Sequence, residues 1–268
     1  MFSVSNIAWS PEEEDSALDL LRELGIAHME VAPGRLWPQG GDTPVDSVPL
    51  GMQSLTTKGL GVSGFQAILF GKPDLRLFNP GSRPALMDYL KRLAALCSAA
   101  GGTYLVFGAP KNRWVPEAMS ADEAFVIAVD FFKELGEHAR KLNVTFGIEA
   151  NPAAYGCNFC THVDDLIHLV SAVDSPGVRW HADTGELAMN SELLPGVVRD
   201  NIGLAGSLHV SEPNLGDFSC PWSGHEAVRD AIRSAGYCGP VSLEMKRPAN
   251  GLEGVRKAAK WMIETYAA

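Results

Sequence analysis

Glu149, Asp183, His209 and Glu244 each close a short apolar run of strand-like composition. The runs are Val-Thr-Phe-Gly-Ile-Glu149, Val-Arg-Trp-His-Ala-Asp183, Leu-Ala-Gly-Ser-Leu-His209 and Val-Ser-Leu-Glu244. A carboxylate at the end of a buried strand leaves water at a cost on the order of several kcal/mol unless a partner compensates it. Taken singly, each residue has an ordinary use: Asp183-Thr184 is placed to cap a following helix, and a lone histidine is more often a core or loop residue than a ligand. Taken together, three carboxylates and one imidazole on four successive strand ends read as the ligands of one divalent cation. Glu149 and Glu244 carry most of that weight, because their apolar surroundings are not those of capping residues. The set is hard and oxygen-rich, so Mn²⁺ is the expected ion, with Mg²⁺, Co²⁺ and Zn²⁺ as alternatives.

Four strand ends meet at one point only if the strands are neighbours in a parallel barrel whose carboxyl ends share a mouth. Apolar runs of strand length do alternate with segments of helical period along the whole chain. Strands are expected at residues 2–8, 27–31, 62–69, 103–107, 144–149, 178–183, 204–209 and 241–244. Helices are expected from residue 11 and over 48–58, 84–100, 121–141, 163–173, 186–194, 226–235 and 252–266. The alternation predicts an α/β chain, a (β/α)8 TIM barrel occupying residues 1–268 as a single domain, and 268 residues suit a fold that typically takes roughly 250.

The formal net charge of −10 repels phosphate backbones, so the expected partner is a small molecule and not a nucleic acid. Five scattered cysteines form no disulfide framework and suit a reducing compartment. Cys157 and Cys160 have a Cys-x-x-Cys spacing without a second pair, and read as two loop thiols. The first residues lack a basic segment followed by a long apolar one, and no apolar run approaches the ~20 residues of a membrane span. The expectation is a cytoplasmic protein with no membrane partner.

The endings Gly-Ile-Glu149, Ala-Asp183-Thr184-Gly185, Ser-Leu-His209-Val-Ser-Glu and Ser-Leu-Glu244-Met resemble the sugar phosphate isomerase/epimerase superfamily. These are the xylose isomerase-like barrels, which also include endonuclease IV. Ligand separations of 34, 26 and 35 residues are similar to those of the ketose 3-epimerases. The resemblance implies that Glu149, Asp183, His209 and Glu244 bind one divalent metal. It further implies that Glu149 and Glu244 are catalytic, one removing a proton beside a sugar carbonyl and the other returning it through an enediolate. A small sugar or keto-sugar substrate and a homodimeric or homotetrameric assembly are implied in the same way.

Three positions depart from the family pattern. Glu186 stands where strand six often continues to a histidine, Tyr155 where the 3-epimerases carry a glutamate, and Leu215 where they carry an arginine. Candidate substrate contacts in their place are His181, Glu186, Lys111, Glu212 and Lys246, the last also placed to pair with a ligand carboxylate. Arg113 beside Lys111 is read either as a second cation of the same mouth or as a solvated loop cation, and Gln66 as a polar group directed into the mouth. Trp9, Trp37 and Trp114 are read as lying in or beside loops that border it, although buried packing is the commoner fate of tryptophan. The expected activity is isomerisation or epimerisation of a small ketose or keto-sugar derivative. The alternatives are a lyase or dehydratase similar to inosose dehydratase, then a DNA repair enzyme similar to endonuclease IV, then a barrel that binds a metabolite without turning it over.

Overall fold

Strands β1 (Phe2–Ser5), β2 (His28–Val31), β3 (Gly61–Phe65), β4 (Tyr104–Phe107), β5 (Thr145–Glu149), β6 (Val178–Asp183), β7 (Ala205–Val210) and β8 (Val241–Leu243) pair in parallel, each with the next. β8 returns to β1, closing a (β/α)8 TIM barrel. The computed structural model describes residues 1–191 and 196–267.

Helices cover the barrel where the apolar period places them. In the helix Ala121–Lys141, Ser120 accepts a hydrogen bond from Glu123 N–H. Asp122 and Glu123 occupy its positive first turn, and His138, Arg140 and Lys141 its negative last turn. Its stripe of Ala124, Ala128, Phe131, Phe132, Leu135 and Ala139 is buried against the strands. The helices Arg83–Ala99, Val163–Val173 and Leu252–Tyr266 bury equivalent stripes.

Some expected boundaries shift for local reasons. The third strand ends at Phe65, because Ala67 adopts a left-handed φ of 50° that no strand continues through. The expected helix over 48–58 divides into Val48–Gly51 and Gln53–Thr57. After β6 the helix runs Thr184–Met189, and its expected end at Leu194 lies outside the described residues.

Register explains the convergence. Glu149 pairs with His181, Asp183 with His209, and His209 with Ser242, so adjacent strand ends meet at one level of the barrel. In β6, Trp180 and Ala182 take one parity while His181 and Asp183 share the other, which points both into the barrel. Inside lie Ser3, Ser5, Glu30, Ser63, Ser207 and Ser242, all buried. Barrels are ordinarily filled with branched aliphatic residues. Here the interior beneath the mouth is polar.

Candidate active site

His209 lies at the centre of the mouth. Its Nε2 is 2.7 Å from Glu30 Oε1, and the same oxygen accepts a 2.6 Å hydrogen bond from Tyr104 Oη. With Nε2–H donating to Glu30, the other ring nitrogen presents a lone pair in the neutral imidazole and a second N–H in the charged one. That Nδ1 is buried and makes no hydrogen bond among the described residues. It faces Glu244 Oε2 at 3.2 Å and Asp183 Oδ2 at 3.6 Å. A lone pair aimed at two carboxylate oxygens is repulsive unless a proton or a cation lies between them.

Asp183 does two things at once. Oδ1 accepts hydrogen bonds from Glu186 N–H (2.8 Å) and Ser211 Oγ (2.7 Å), capping the helix Thr184–Met189, while Oδ2 remains turned to His209. Capping and a place in the cluster are therefore compatible. Across the mouth, Asn151 Nδ2 donates to Glu149 Oε2 at 3.0 Å. Gly108, just beyond β4, leaves the room this carboxylate occupies, since a Cβ there would collide with Glu149 Oε2.

Potential donor atoms of Glu149, His181, Asp183 and His209 lie within 4.8 Å of one another, a grouping able to hold a metal ion. Glu244 approaches the same centre through its contact with His209. Burial, then the charges of Asp183 and Glu244, push the Glu149 carboxyl up to about 8. Burial also raises Glu244, and burial followed by Glu149 and Asp183 raises Glu186 well above the carboxylate range. Burial alone would strip a proton from His209, yet the carboxylates of Glu30 and Glu244 outweigh it and raise the imidazole well above its ordinary value. A divalent cation would offset these charges, and the carboxylates together with the unpartnered ring nitrogens of His209 and His181 are donors that fit such an ion.

The expected substrate contacts separate into three groups. Glu186, Glu212 and Lys246 line a cavity of about 220 Å³ together with Glu149, Asp183 and Glu244. Lys111 lines a second cavity, of about 530 Å³, with Gln66, Glu149, His209 and Glu244. His181 lines neither: it is fully buried, with Nδ1 2.7 Å from Ser207 Oγ and its ring edge-on to His209. Burial and then His209 hold His181 well below its ordinary value, so it stays neutral. Glu212 is fixed from behind by Trp222 N–H at 2.9 Å and by His225 Nε2 at 3.0 Å, and His225 in turn meets Tyr266 Oη at 2.8 Å. Lys246 lines the smaller cavity beside Glu244 without the expected pairing to a ligand carboxylate among the described residues.

Other expectations are corrected. Arg113 is buried, with Nε donating to Cys157 Sγ at 3.4 Å, so it is no solvated cation of the mouth. Trp9 and Trp37 are packed in the core, where Trp9 Nε1 donates to Glu14 and Trp37 leans on Phe65. Of the three, Trp114 alone is exposed. Gln66 does line the larger cavity, its amide donating to Ser5 Oγ at 2.9 Å. Sequence reasoning misses Glu30, although an acid between Met29 and Val31 is the same signal that marks the other four.

The model of the xylose isomerase-like TIM barrel family matches residues 18–265. The chain belongs to that family. No curated protein sequence matches it significantly. Among solved structures it is similar to a D-psicose 3-epimerase determined in the presence of D-fructose, at 14% identity over 100% of this chain and 99% of that one, with a TM-score of 0.81. It is also similar to a 3-keto-D-glucoside 4-epimerase from E. coli, at 16% identity over 98% of each chain and a TM-score of 0.80. The IolI protein with a bound zinc atom is similar at 19% identity over 99% and 98%, with a TM-score of 0.71. At these identities the similarity establishes a shared xylose isomerase-like fold.

Proposed function

We propose that this xylose isomerase-like protein is a metal-dependent isomerase or epimerase of a small keto-sugar. The observation that carries the reading is the freed Nδ1 of His209, held by Glu30 so that it faces the carboxylates of Asp183 and Glu244 at the carboxyl ends of the strands. Glu149, Asp183, His209 and Glu244 hold the cation in this reading, and Mn²⁺ suits their donor set best. When bound, the cation supplies positive charge that polarises a carbonyl and stabilises negative charge developing on its oxygen.

The protein's own groups do the rest. Glu149 and Glu244 reach the mouth from β5 and from just past β8, and both line both cavities. One, as the carboxylate, takes the proton from the carbon next to the carbonyl, and the other, as the carboxylic acid, delivers its own proton to the opposite face. Hydroxyls of the sugar donate to Glu186 and Glu212 in the smaller cavity, while Lys246 and Lys111 offer donors at the two rims. That carboxylate-rich wall accepts hydroxyls and repels phosphate, which supports a sugar over a nucleic acid. D-psicose and 3-keto-D-glucosides, the sugars for which two of the similar epimerases are named, are of the same chemical kind.

The direct test is incubation of the Mn²⁺-loaded protein with keto-sugars in D2O. Deuterium appearing at the carbon α to the carbonyl of an intact sugar is the expected result. Elimination of water or of a substituent would assign the enzyme to the lyases, and no metal-dependent exchange on any sugar would overturn the reading.

Two substitutions probe the support of the site. Glu30→Gln removes the charge that orients His209, and metal affinity is expected to fall about 10- to 100-fold by titration calorimetry. Unchanged affinity would sever Glu30 from the centre. Gly108→Ala is expected to displace the Glu149 carboxylate and lower kcat/KM about 100-fold, with the far-ultraviolet circular dichroism retained. Near-normal turnover in that variant would show that the close approach does not matter.

A further inference from the structure

The proposed proton-transferring carboxylates line two cavities of different character, and the sugar hydroxyls placed above fill only the smaller. The smaller is walled by Glu149, Asp183, Glu186, Glu212 and Glu244, acceptors for the hydroxyls of a sugar. The larger shares Glu149 and Glu244, but the rest of its lining is mostly apolar, with the segment Ala67–Ile68–Leu69–Phe70 and with Ala109 and Pro110. Sugar hydroxyls facing that wall would lose water without gaining partners, which is unfavourable. Phe70 is 90% exposed, a large aromatic side chain left in water on the wall of the cavity. Isolated apolar side chains at a surface need no explanation, but one that continues an apolar concave wall beside reactive groups does.

The wall is also built at a cost. Ala67 and Ala109 each lie two residues beyond a strand end, after β3 and β4, and both take left-handed φ values of 50° and 46°. Alanine adopts that conformation only under constraint, and such constraint gathers where shape serves a ligand. Charge narrows the ligand further. Of the two lysines on this cavity, Lys72 is already bound to Asp42 at 3.1 Å, which leaves Lys111 alone and favours a neutral group over a phosphate.

We propose that the substrate is a keto-sugar carrying a planar apolar substituent, an aryl glycoside whose sugar occupies the smaller cavity and whose ring lies in the larger one against Phe70. The inference rests on the isomerase reading and adds the substituent to it.

The test compares a keto-glucose with its phenyl glycoside, each bearing the ketone at the same ring carbon, by deuterium exchange on the Mn²⁺-loaded protein. The phenyl glycoside is expected to have a kcat/KM at least about tenfold higher, and the ratio should fall towards one in Phe70→Ser. Because the Phe70 side chain is exposed, that variant keeps its core. Saturation-transfer NMR with phenyl glucoside, which has no ketone to react, gives a binding readout: its aromatic protons should be saturated by the wild-type protein and much less by Phe70→Ser. Equal exchange on the two keto-sugars, or aromatic protons left unsaturated, overturns the substituent while leaving the isomerase reading in place. Exchange on neither, and on no free ketose, overturns both.

Discussion

Replacing Glu149 or Glu244 by glutamine is expected to lower kcat by about three orders of magnitude with the barrel intact. Glutamine keeps the size and one oxygen of the side chain but cannot accept the proton, and positioned acid–base groups contribute factors of roughly 10² to 10⁴. Both residues also belong to the proposed metal set, so the comparison has to be made at saturating Mn²⁺, where weakened binding is compensated by concentration. The two variants should then differ in a way that loss of metal cannot mimic. Lacking the base for a given epimer, one exchanges no deuterium into it. The other still exchanges that epimer from its own face but cannot deliver the proton that completes the product. NMR of each epimer in D2O separates the two patterns. Turnover within tenfold of wild type in either variant would remove that glutamate from the chemistry.

Stability in the absence of metal should fall as pH rises, and added Mn²⁺ should abolish the fall. Glu149 has its folded-state value raised from 4.5 to about 8 by burial and by Asp183 and Glu244. Between those limits the folded protein holds a proton that the unfolded chain has released. The stabilisation is therefore complete below about pH 4.5 and is lost progressively up to about pH 8, with a slope on the order of 1 kcal/mol per pH unit for one such proton. Glu186 and Glu244 are shifted in the same direction and deepen the trend. A divalent cation takes the place of these protons, so its affinity rises with pH and the loaded protein gains stability by mass action. Thermal unfolding in EDTA and in MnCl2 at pH 5, 6, 7 and 8 should give two curves that diverge towards alkaline pH. Parallel curves would show that the carboxylates are not discharged by a cation.

Much of this site is legible in the chain itself. Period-2 and period-3.6 patterns are local, so composition and spacing place eight strand and helix units, and the four acid or imidazole strand ends stand out against apolar runs. What is not legible depends on partners distant in sequence. Arg113 reads as a loop cation because it follows Pro110 and Lys111, yet the fold brings Cys157 beside it and buries it. Trp9 and Trp37 lie in loop-like composition and still pack into the core, since burial of an aromatic side chain is decided by what the chain folds over it. The two cavities are invisible for the same reason. The smaller is assembled from the ends of β5 to β8, and the larger takes the loops after β3 and β4.

Glu30 and His209 are 179 residues apart in the chain, and Tyr104 reaches the same carboxylate from a third region. During synthesis, the imidazole that faces the other ligands acquires its orienting partner from a strand made long before it, and Glu244 follows only at the eighth strand. No growing fragment possesses the complete centre. On the proposed reading, retention of an ion needs the closed ring, and a truncated or nicked chain is expected to lose metal well before any loss of helix content reveals it.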